Sequence, residues 1–397
     1  MNMKFRILKK DKKTDARAGV ISTSHGTIRT PAYMPVATKA TVKALHSEMM
    51  HDLDADVLMC NTYHLFLQPG ERLVKKFGGL HGFMGWNKPI MTDSAGFQVF
   101  SLGFGMEDGT NKFGGFFPGE DRGRRKEGKK QAVVTDDGVV FHADGKKVLF
   151  TPEKSIRLQE DLGADLIIAF DECTSPMAEY DYVKESMERT HRWAERCLKV
   201  KKRKDQALFG VVQGSRYKDL RKEAARFIAS RPFEGICIGG SLGDTKKEMH
   251  KILEWVVEEL PEGKPRHLLG IGTVEDFFEA VERGVDMFDC VGPTRIARVG
   301  YLYISPASGG NKKNKFRLKI KNRKYENDKK PIDKACVCFV CKKYSRAYIR
   351  HLFKANELTA FTLASYHNVH FMLSLMKEIR ESILKGRFLQ LKKKWMT

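Results

Sequence analysis

Apolar runs of strand length recur along this chain at residues 33–38, 55–60, 89–92, 165–170, 207–212, 235–239, 267–271 and 285–290. Most of the gaps between them carry helical periodicity. Residues 152–162 open with Thr151 as N-cap and proline at the first helical position, and residues 181–201 form a long amphipathic stretch. Residues 217–230, 246–259 and 274–283 repeat the alternation. Strand and helix alternating over this length predict a parallel sheet, and eight repeats favour closure into a (β/α)8 TIM barrel. An open doubly wound sheet is the competing architecture, but no Gly-x-Gly-x-x-Gly follows an early strand.

Three segments depart from this rhythm. Residues 1–32 alternate polar and apolar positions with glycine and proline punctuation, which predicts a small antiparallel preamble. Residues 102–150 interrupt the barrel. Their first part, through Lys130, is rich in glycine and charge and reads as a mobile surface loop; the second, QAVVTDDGVVFHADGKKVLF, alternates around DDG and DGK turns and predicts a β-ribbon. After the eighth run, residues 306–334 are lysine-rich and strand-like and lead into a cysteine cluster and a helical tail.

A formal charge of +22 makes a phosphate-bearing partner the expected one, since counterion release drives such chains onto nucleic acid. No stretch approaches the length needed to span a bilayer, and MNMKFRILKKDKKTDAR lacks the apolar core of a signal peptide, so a cytoplasmic location is expected. Eight cysteines in 397 residues are not a secreted disulfide framework.

Three of them, Cys336, Cys338 and Cys341, are followed by His367, four ligands of the kind a closed structural zinc site takes. His351 and His370 compete for the fourth place on spacing alone. With every position filled by protein, such a zinc would fold the appendage and not activate water.

The second constellation lies at the expected carboxyl ends of the strands, where barrel active sites are built. TDSAGFQ follows the third strand, FDEC the fourth, QGS the fifth and GGS the sixth, and Asp289 ends the eighth, with Pro293, Arg295 and Arg298 expected in a loop beyond it. Alone, such an Asp is as readily a cap for the next segment. Asp93 and Asp289 at one mouth are the minimum for displacing a group at a sugar carbon with retained configuration. Asp171 and Gln213 match the hydrogen-bonding edge of a purine, Gly239 and Gly240 let backbone approach a flat ring, and Phe97 could stack on it. With the basic charge, this points to chemistry on a nucleobase flipped out of a nucleic acid.

At these residues the chain resembles the queuine tRNA-ribosyltransferases, or tRNA-guanine transglycosylases, of the bacterial type. The likeness runs from TPAYMPVAT through CNTYHL, TDSAGFQ, FDEC, VVQGS, GGS, RHLLGIG and MFDCVGPTR to the C-x-C-x-x-C signature, SRAYIRHL and the HN at His367. It implies an α/β (β/α)8 barrel over residues 33–305 with an inserted zinc-binding subdomain at 306–370, a C-terminal helix at 371–397 packing on the barrel, and a homodimer. It further implies exchange of guanine for a 7-deazaguanine, preQ1 or queuine, at the wobble position of tRNAs with GUN anticodons, in queuosine biosynthesis. Asp289 would be the nucleophile and Asp93 the general acid and base. Asp93, Phe97, Asp171, Gln213, Gly239, Gly240, Leu269 and Gly270 would line the base site, and Arg295 and Arg298 would meet the anticodon loop. Cys336, Cys338, Cys341 and His367 would hold one Zn2+.

The chain also departs from the family pattern. Ala95 stands where a second glycine is usual, and Gly292 replaces a larger residue before PTR. GGSLGDTKKE differs from the common bacterial loop, whose Gly-Glu helps read the aminomethyl group of preQ1. Other readings are an archaeal-type relative acting in the D-loop on preQ0, disfavoured because no extra RNA-binding domain follows Thr397, and a non-catalytic RNA- and zinc-binding partner subunit, disfavoured by the paired acids. A metal-dependent barrel hydrolase is disfavoured because no His-x-His cluster lies at the strand ends.

Overall fold

A computed structural model of the chain describes residues 3–97, 132–143 and 146–396. Eight parallel strands close into a barrel: β4 (Ala32–Ala37), β5 (Leu58–Cys60), β6 (Ile90–Thr92), β10 (Leu166–Ile168), β11 (Ala207–Val212), β12 (Gly235–Ile238), β13 (Arg266–Leu268) and β14 (Met287–Cys290), which returns to pair with β4. Each coincides with one of the eight apolar runs. The runs lack polar alternation because both faces are covered. Met34, Met59, Met91, Leu166, Ile168, Phe209, Val211 and Met287 fill the inside, while Leu58, Ile167, Leu208, Val212, Ile236 and Phe288 pack against helices. Burying such a side chain contributes about 2 kcal/mol. The helix over Pro152–Leu162 begins as its sequence predicts, with Thr151 Oγ1 accepting from Lys154 N at 3.2 Å.

The amino-terminal residues form an antiparallel sheet of β1 (Lys4–Lys10), β2 (Arg17–Thr23) and β3 (Gly26–Thr30). Ile21 and Ile28 join the interior cluster, so this sheet closes the end of the barrel where the strands begin. A buried ion pair fastens it: Arg17 reaches Asp286 through Nε at 2.9 Å and Nη2 at 2.6 Å. Its remaining donors go to the carbonyls of Glu262 and Lys264.

The ribbon expected after the third barrel strand is a three-stranded antiparallel sheet, β7 (Ala132–Val134), β8 (Val139–Ala143) and β9 (Lys146–Phe150). The glycine- and charge-rich stretch 103–130 lies outside the described residues.

Two expectations are corrected. The segment after Asp289 is not a loop but a short helix, Gly292–Arg298. Pro293 suits its first turn, and the helix is braced where Asn368 Nδ2 donates to the Pro293 carbonyl at 3.0 Å. Residues 306–334 are mostly turns. Only Arg317–Lys319 (β16) is strand, paired with Tyr301–Tyr303 (β15), because few partners exist there for a longer ladder. The tail is dominated by one helix, Leu358–Leu384, which carries His367 and runs on past residue 370. A final helix, Phe388–Met396, seats Trp395 against Phe278, Phe316 and Phe371.

Asp286→Ala is expected to lower stability by about 3–5 kcal/mol, because it leaves the Arg17 guanidinium buried without its counter-charge. Urea unfolding checks this; a loss below about 1 kcal/mol would mean that the pair does not hold the sheet in place.

Candidate active site

Where the barrel strands end, their last residues face one another. Asp93 follows β6, and Asp289 is the penultimate residue of β14. The Asp93 carboxylate accepts from Thr62 N at 2.8 Å and Ala95 N at 3.2 Å on Oδ1, and from Asn61 Nδ2 on Oδ2. Burial nevertheless pushes its pKa up to about 7; the two backbone donors oppose this, and the charges of Asp289 and Asp171 add to it. Asp93, Asp171 and Asp289 follow or end β6, β10 and β14, which brings the three acids to the same end of the barrel.

Asp289 is held differently. Its Oδ1 accepts from Gly270 N at 2.9 Å and faces His267 Nε2 at 3.0 Å. His267 is fully buried, and its Nδ1 lies 3.7 Å from Cys237 Sγ. Burial keeps the Cys237 thiol protonated, so it can donate to Nδ1 and leave the Nε2 proton for Asp289. Oδ1 thus faces two donors, and among the described residues Oδ2 has none.

Asp171, also buried, is raised to about 6 by desolvation, against hydrogen bonds from Ser94 Oγ at 2.9 Å and Gln213 Nε2 at 2.7 Å. The bond to Asp171 fixes the Gln213 amide, and among the described residues its buried Oε1 has no partner, an acceptor suited to a base N–H. Gly240, at φ +76°, passes so close to it that a Cβ would sit 2.1 Å from Oε1. Both Gly239 and Ser241 carbonyls accept from the fully buried Arg221, which also donates to Val212 and Ser215.

Phe97 is 52% exposed at the edge of the mouth. Leu269, half-buried, packs against the interior cluster, and the Gly270 amide serves Asp289. Arg295 and Arg298 lie on the short helix beyond Asp289; among the described residues no carboxylate pairs with either. Burial and the neighbouring Arg295 lower the pKa of Arg298. Ala95 sits at φ +69°, a region that costs a residue with a Cβ about 1–2 kcal/mol, which is why glycine is the easier choice there.

Sequence reasoning passed over Asn61, Thr62, His267 and Arg221. The first three stand at the second and seventh strands, where the same strand-end argument could have found them. Arg221 lies on the helix Lys218–Ala229, and only tertiary structure marks it.

In the appendage, His367 Nδ1 lies 3.8, 3.7 and 3.4 Å from the Sγ atoms of Cys336, Cys338 and Cys341. A tetrahedral zinc with thiolate and imidazole ligands requires an S···N edge of about 3.6 Å. His367 Nε2 faces the Tyr303 carbonyl at 2.8 Å, so it carries the proton and leaves Nδ1 free to ligate. These four residues can hold one structural zinc ion. His370 reaches Cys336 alone at 3.5 Å, and His351 is exposed on another helix.

A family model described as queuine tRNA-ribosyltransferase matches residues 11–397. A protein of Archaeoglobus fulgidus that bears the same name provisionally is 53% identical over 100% of both chains. Queuine tRNA-ribosyltransferases of Caldanaerobacter subterraneus subsp. tengcongensis and Staphylococcus haemolyticus are each 46% identical, over 99% and 98% of this chain and 97% and 94% of theirs.

The raised carboxyl of Asp93 has a signed consequence. In the folded chain it holds its proton to about pH 7, whereas the ordinary value is 3.8, so between these limits folding binds an extra proton and stability falls as pH rises. The destabilisation caused by Asp93→Ala is therefore expected to be smaller at pH 8 than at pH 5, by about 2–3 kcal/mol. Urea unfolding at the two pH values measures it, and a cost independent of pH would contradict the shift.

Proposed function

The chain belongs to the queuine tRNA-ribosyltransferase family, and from that membership we infer that it is a tRNA-guanine transglycosylase. It replaces guanine at the wobble position of tRNAs with GUN anticodons, those for aspartate, asparagine, histidine and tyrosine, by a 7-deazaguanine. The observation that carries this reading is the pairing of Asp289, with one oxygen tied and the other without a donor among the described residues, and Asp93, poised near neutrality.

Asp289 Oδ2 attacks the ribose anomeric carbon as the glycosidic bond breaks, and the departing guanine takes a proton from Asp93. The RNA is then esterified to Asp289. Asp93, now a carboxylate, removes the proton from the incoming base, whose nitrogen attacks the same carbon and expels Asp289. Two inversions give retention. A pKa near the working pH suits a group that gives a proton in one half-reaction and accepts one in the other. Asp171, Gln213 and the backbone of Gly239 and Gly240 hold the base, with Phe97 stacking on it and Leu269 lining the site, while Gly270 contributes through Asp289.

Arg295 and Arg298, adjacent cations without carboxylate partners among the described residues, meet the anticodon-loop phosphates. The family's homodimer and a cytoplasmic location complete the proposal; among the described residues no helix is long and apolar enough to cross a membrane. The zinc ion, where bound, shapes the appendage and takes no part in bond exchange.

Incubation of a GUN tRNA with radiolabelled guanine tests the reaction. Asp289→Ala is expected to slow exchange by about a thousandfold or more, and to abolish a denaturant-resistant protein–RNA adduct that wild type forms. Exchange at the wild-type rate would overturn the mechanism.

The incoming base is read beside the double glycine. Leu242 is packed in the core, whereas Ser241 follows the glycines with its carbonyl held by Arg221. Substituting Ser241 is expected to change the ratio of kcat/KM for preQ1 and queuine by about tenfold, with tRNA affinity within about twofold. Equal effects on base and tRNA would count against this loop as the reader.

A further inference from the structure

The support of the nucleophile extends one strand beyond the residues that touch it. Cys237 lies opposite His267 where β12 pairs with β13, and His267 lies opposite Met287 where β13 pairs with β14. Asp289, two residues past Met287, points to the same side of the sheet. Cys237 and Met287 belong to the interior cluster, so neighbouring strands send a thiol, an imidazole and a carboxylate into the barrel in one row.

Cys237 and His267 are fully buried, while the Asp289 side chain is 15% exposed at the end of the row. Each ring nitrogen of His267 has one partner: Cys237 Sγ lies 3.7 Å from Nδ1, and Asp289 Oδ1 lies 3.0 Å from Nε2. An ionised carboxylate only accepts, so the hydrogen bond to Asp289 needs a proton on Nε2. The thiol, kept protonated by burial, donates to Nδ1 and holds the ring in that tautomer. Without the thiol the imidazole is free to carry its proton on Nδ1 and turn a lone pair towards Oδ1.

The strength of this bond depends on the state of Asp289. A hydrogen bond to a carboxylate is about twice as strong as one to the uncharged carbonyl that Oδ1 becomes in an ester. Donors on Oδ1 therefore favour the free carboxylate over the RNA ester. When the nitrogen of the incoming base bonds to the anomeric carbon, the bond from that carbon to Oδ2 breaks and its electron pair passes to Asp289, while the proton of the base goes to Asp93. The returning negative charge is shared with Oδ1, where His267 and Gly270 meet it.

We propose that Cys237 and His267 are positioning residues that set the leaving ability of Asp289: the thiol fixes the imidazole tautomer, and the imidazole draws the covalent intermediate towards release. This rests on the exchange reaction inferred above.

The experiment incubates the full-length chain with saturating GUN tRNA at a fixed guanine concentration until the ratio of ester-linked to free enzyme on denaturing gels is constant, then times release after excess guanine is added. His267→Phe keeps the volume of a ring but not its nitrogens; it is expected to raise the ratio about tenfold and slow release by about tenfold or more. His267→Gln, whose amide can donate to Oδ1, should stay within about threefold of wild type on both measures. Cys237→Ala is expected to raise the ratio about threefold and Cys237→Ser to restore it; Cys237→Ala should add nothing to His267→Gln, which has no tautomer to fix. A purely structural role would slow both half-reactions without moving the equilibrium ratio. An unchanged ratio in a His267→Phe chain that still exchanges guanine overturns the proposal and leaves the exchange reaction standing, as does a Cys237→Ala effect of equal size in the His267→Gln background. If His267→Phe does not fold, the Cys237 series decides alone. Wild type that neither exchanges guanine nor forms the ester overturns the exchange reaction and this proposal with it.

Discussion

Three carboxylates crowd one end of this barrel, Asp171 buried and Asp93 and Asp289 half-buried, and the site depends on how they are held there. An isolated buried carboxylate is so costly that it normally takes up a proton instead. Here each acid meets donors from a neighbouring strand end: Asn61 and Thr62 for Asp93, Ser94 and Gln213 for Asp171, His267 and Gly270 for Asp289. The donors do not fully offset desolvation at Asp93 and Asp171, which is why both remain raised. Every acid draws on a different strand from its own or on the turn after one, so the arrangement exists only once the barrel has closed.

Arg221 plays the complementary part on the base side. Its guanidinium is fully buried and among the described residues has no carboxylate in salt-bridge range; burial lowers its pKa to about 9. Its donors go instead to carbonyls at 212, 215, 239 and 241, joining the turns after β11 and β12. Those turns carry Gln213 and the double glycine. A fork of donors spanning two turns fixes the gap into which a flat ring would fit, which a flexible lysine would not do.

The appendage is coupled to the same mouth through short links. His367 faces the Tyr303 carbonyl, and its neighbour Asn368 bonds Tyr303 N as well as the carbonyls of Tyr301 and Pro293. Pro293 begins the helix that bears Arg295 and Arg298. The zinc ligand and the brace of the arginine helix are therefore consecutive residues of one long helix. Folding of the metal site and placement of the cationic helix follow from the same turn of backbone.

The eight apolar runs, the N-cap at Thr151, the C-x-C-x-x-C cluster and the acids at strand ends were legible in sequence because each is a local pattern with one dominant physical cause. A strand covered on both faces cannot alternate, and a carboxylate at its exit can lie only at the mouth. What sequence left open was decided by contacts between distant segments. Spacing could not separate His367 from His351 and His370; the approach of its Nδ1 to all three Sγ atoms does so, with the Tyr303 carbonyl accepting from Nε2. The segment after Asp289 reads as a loop in isolation and is a helix because Asn368 braces its first turn. His267 and Arg221 look like ordinary strand and helix residues until the barrel closes, for their roles rest on hydrogen bonds to partners that no local pattern can specify.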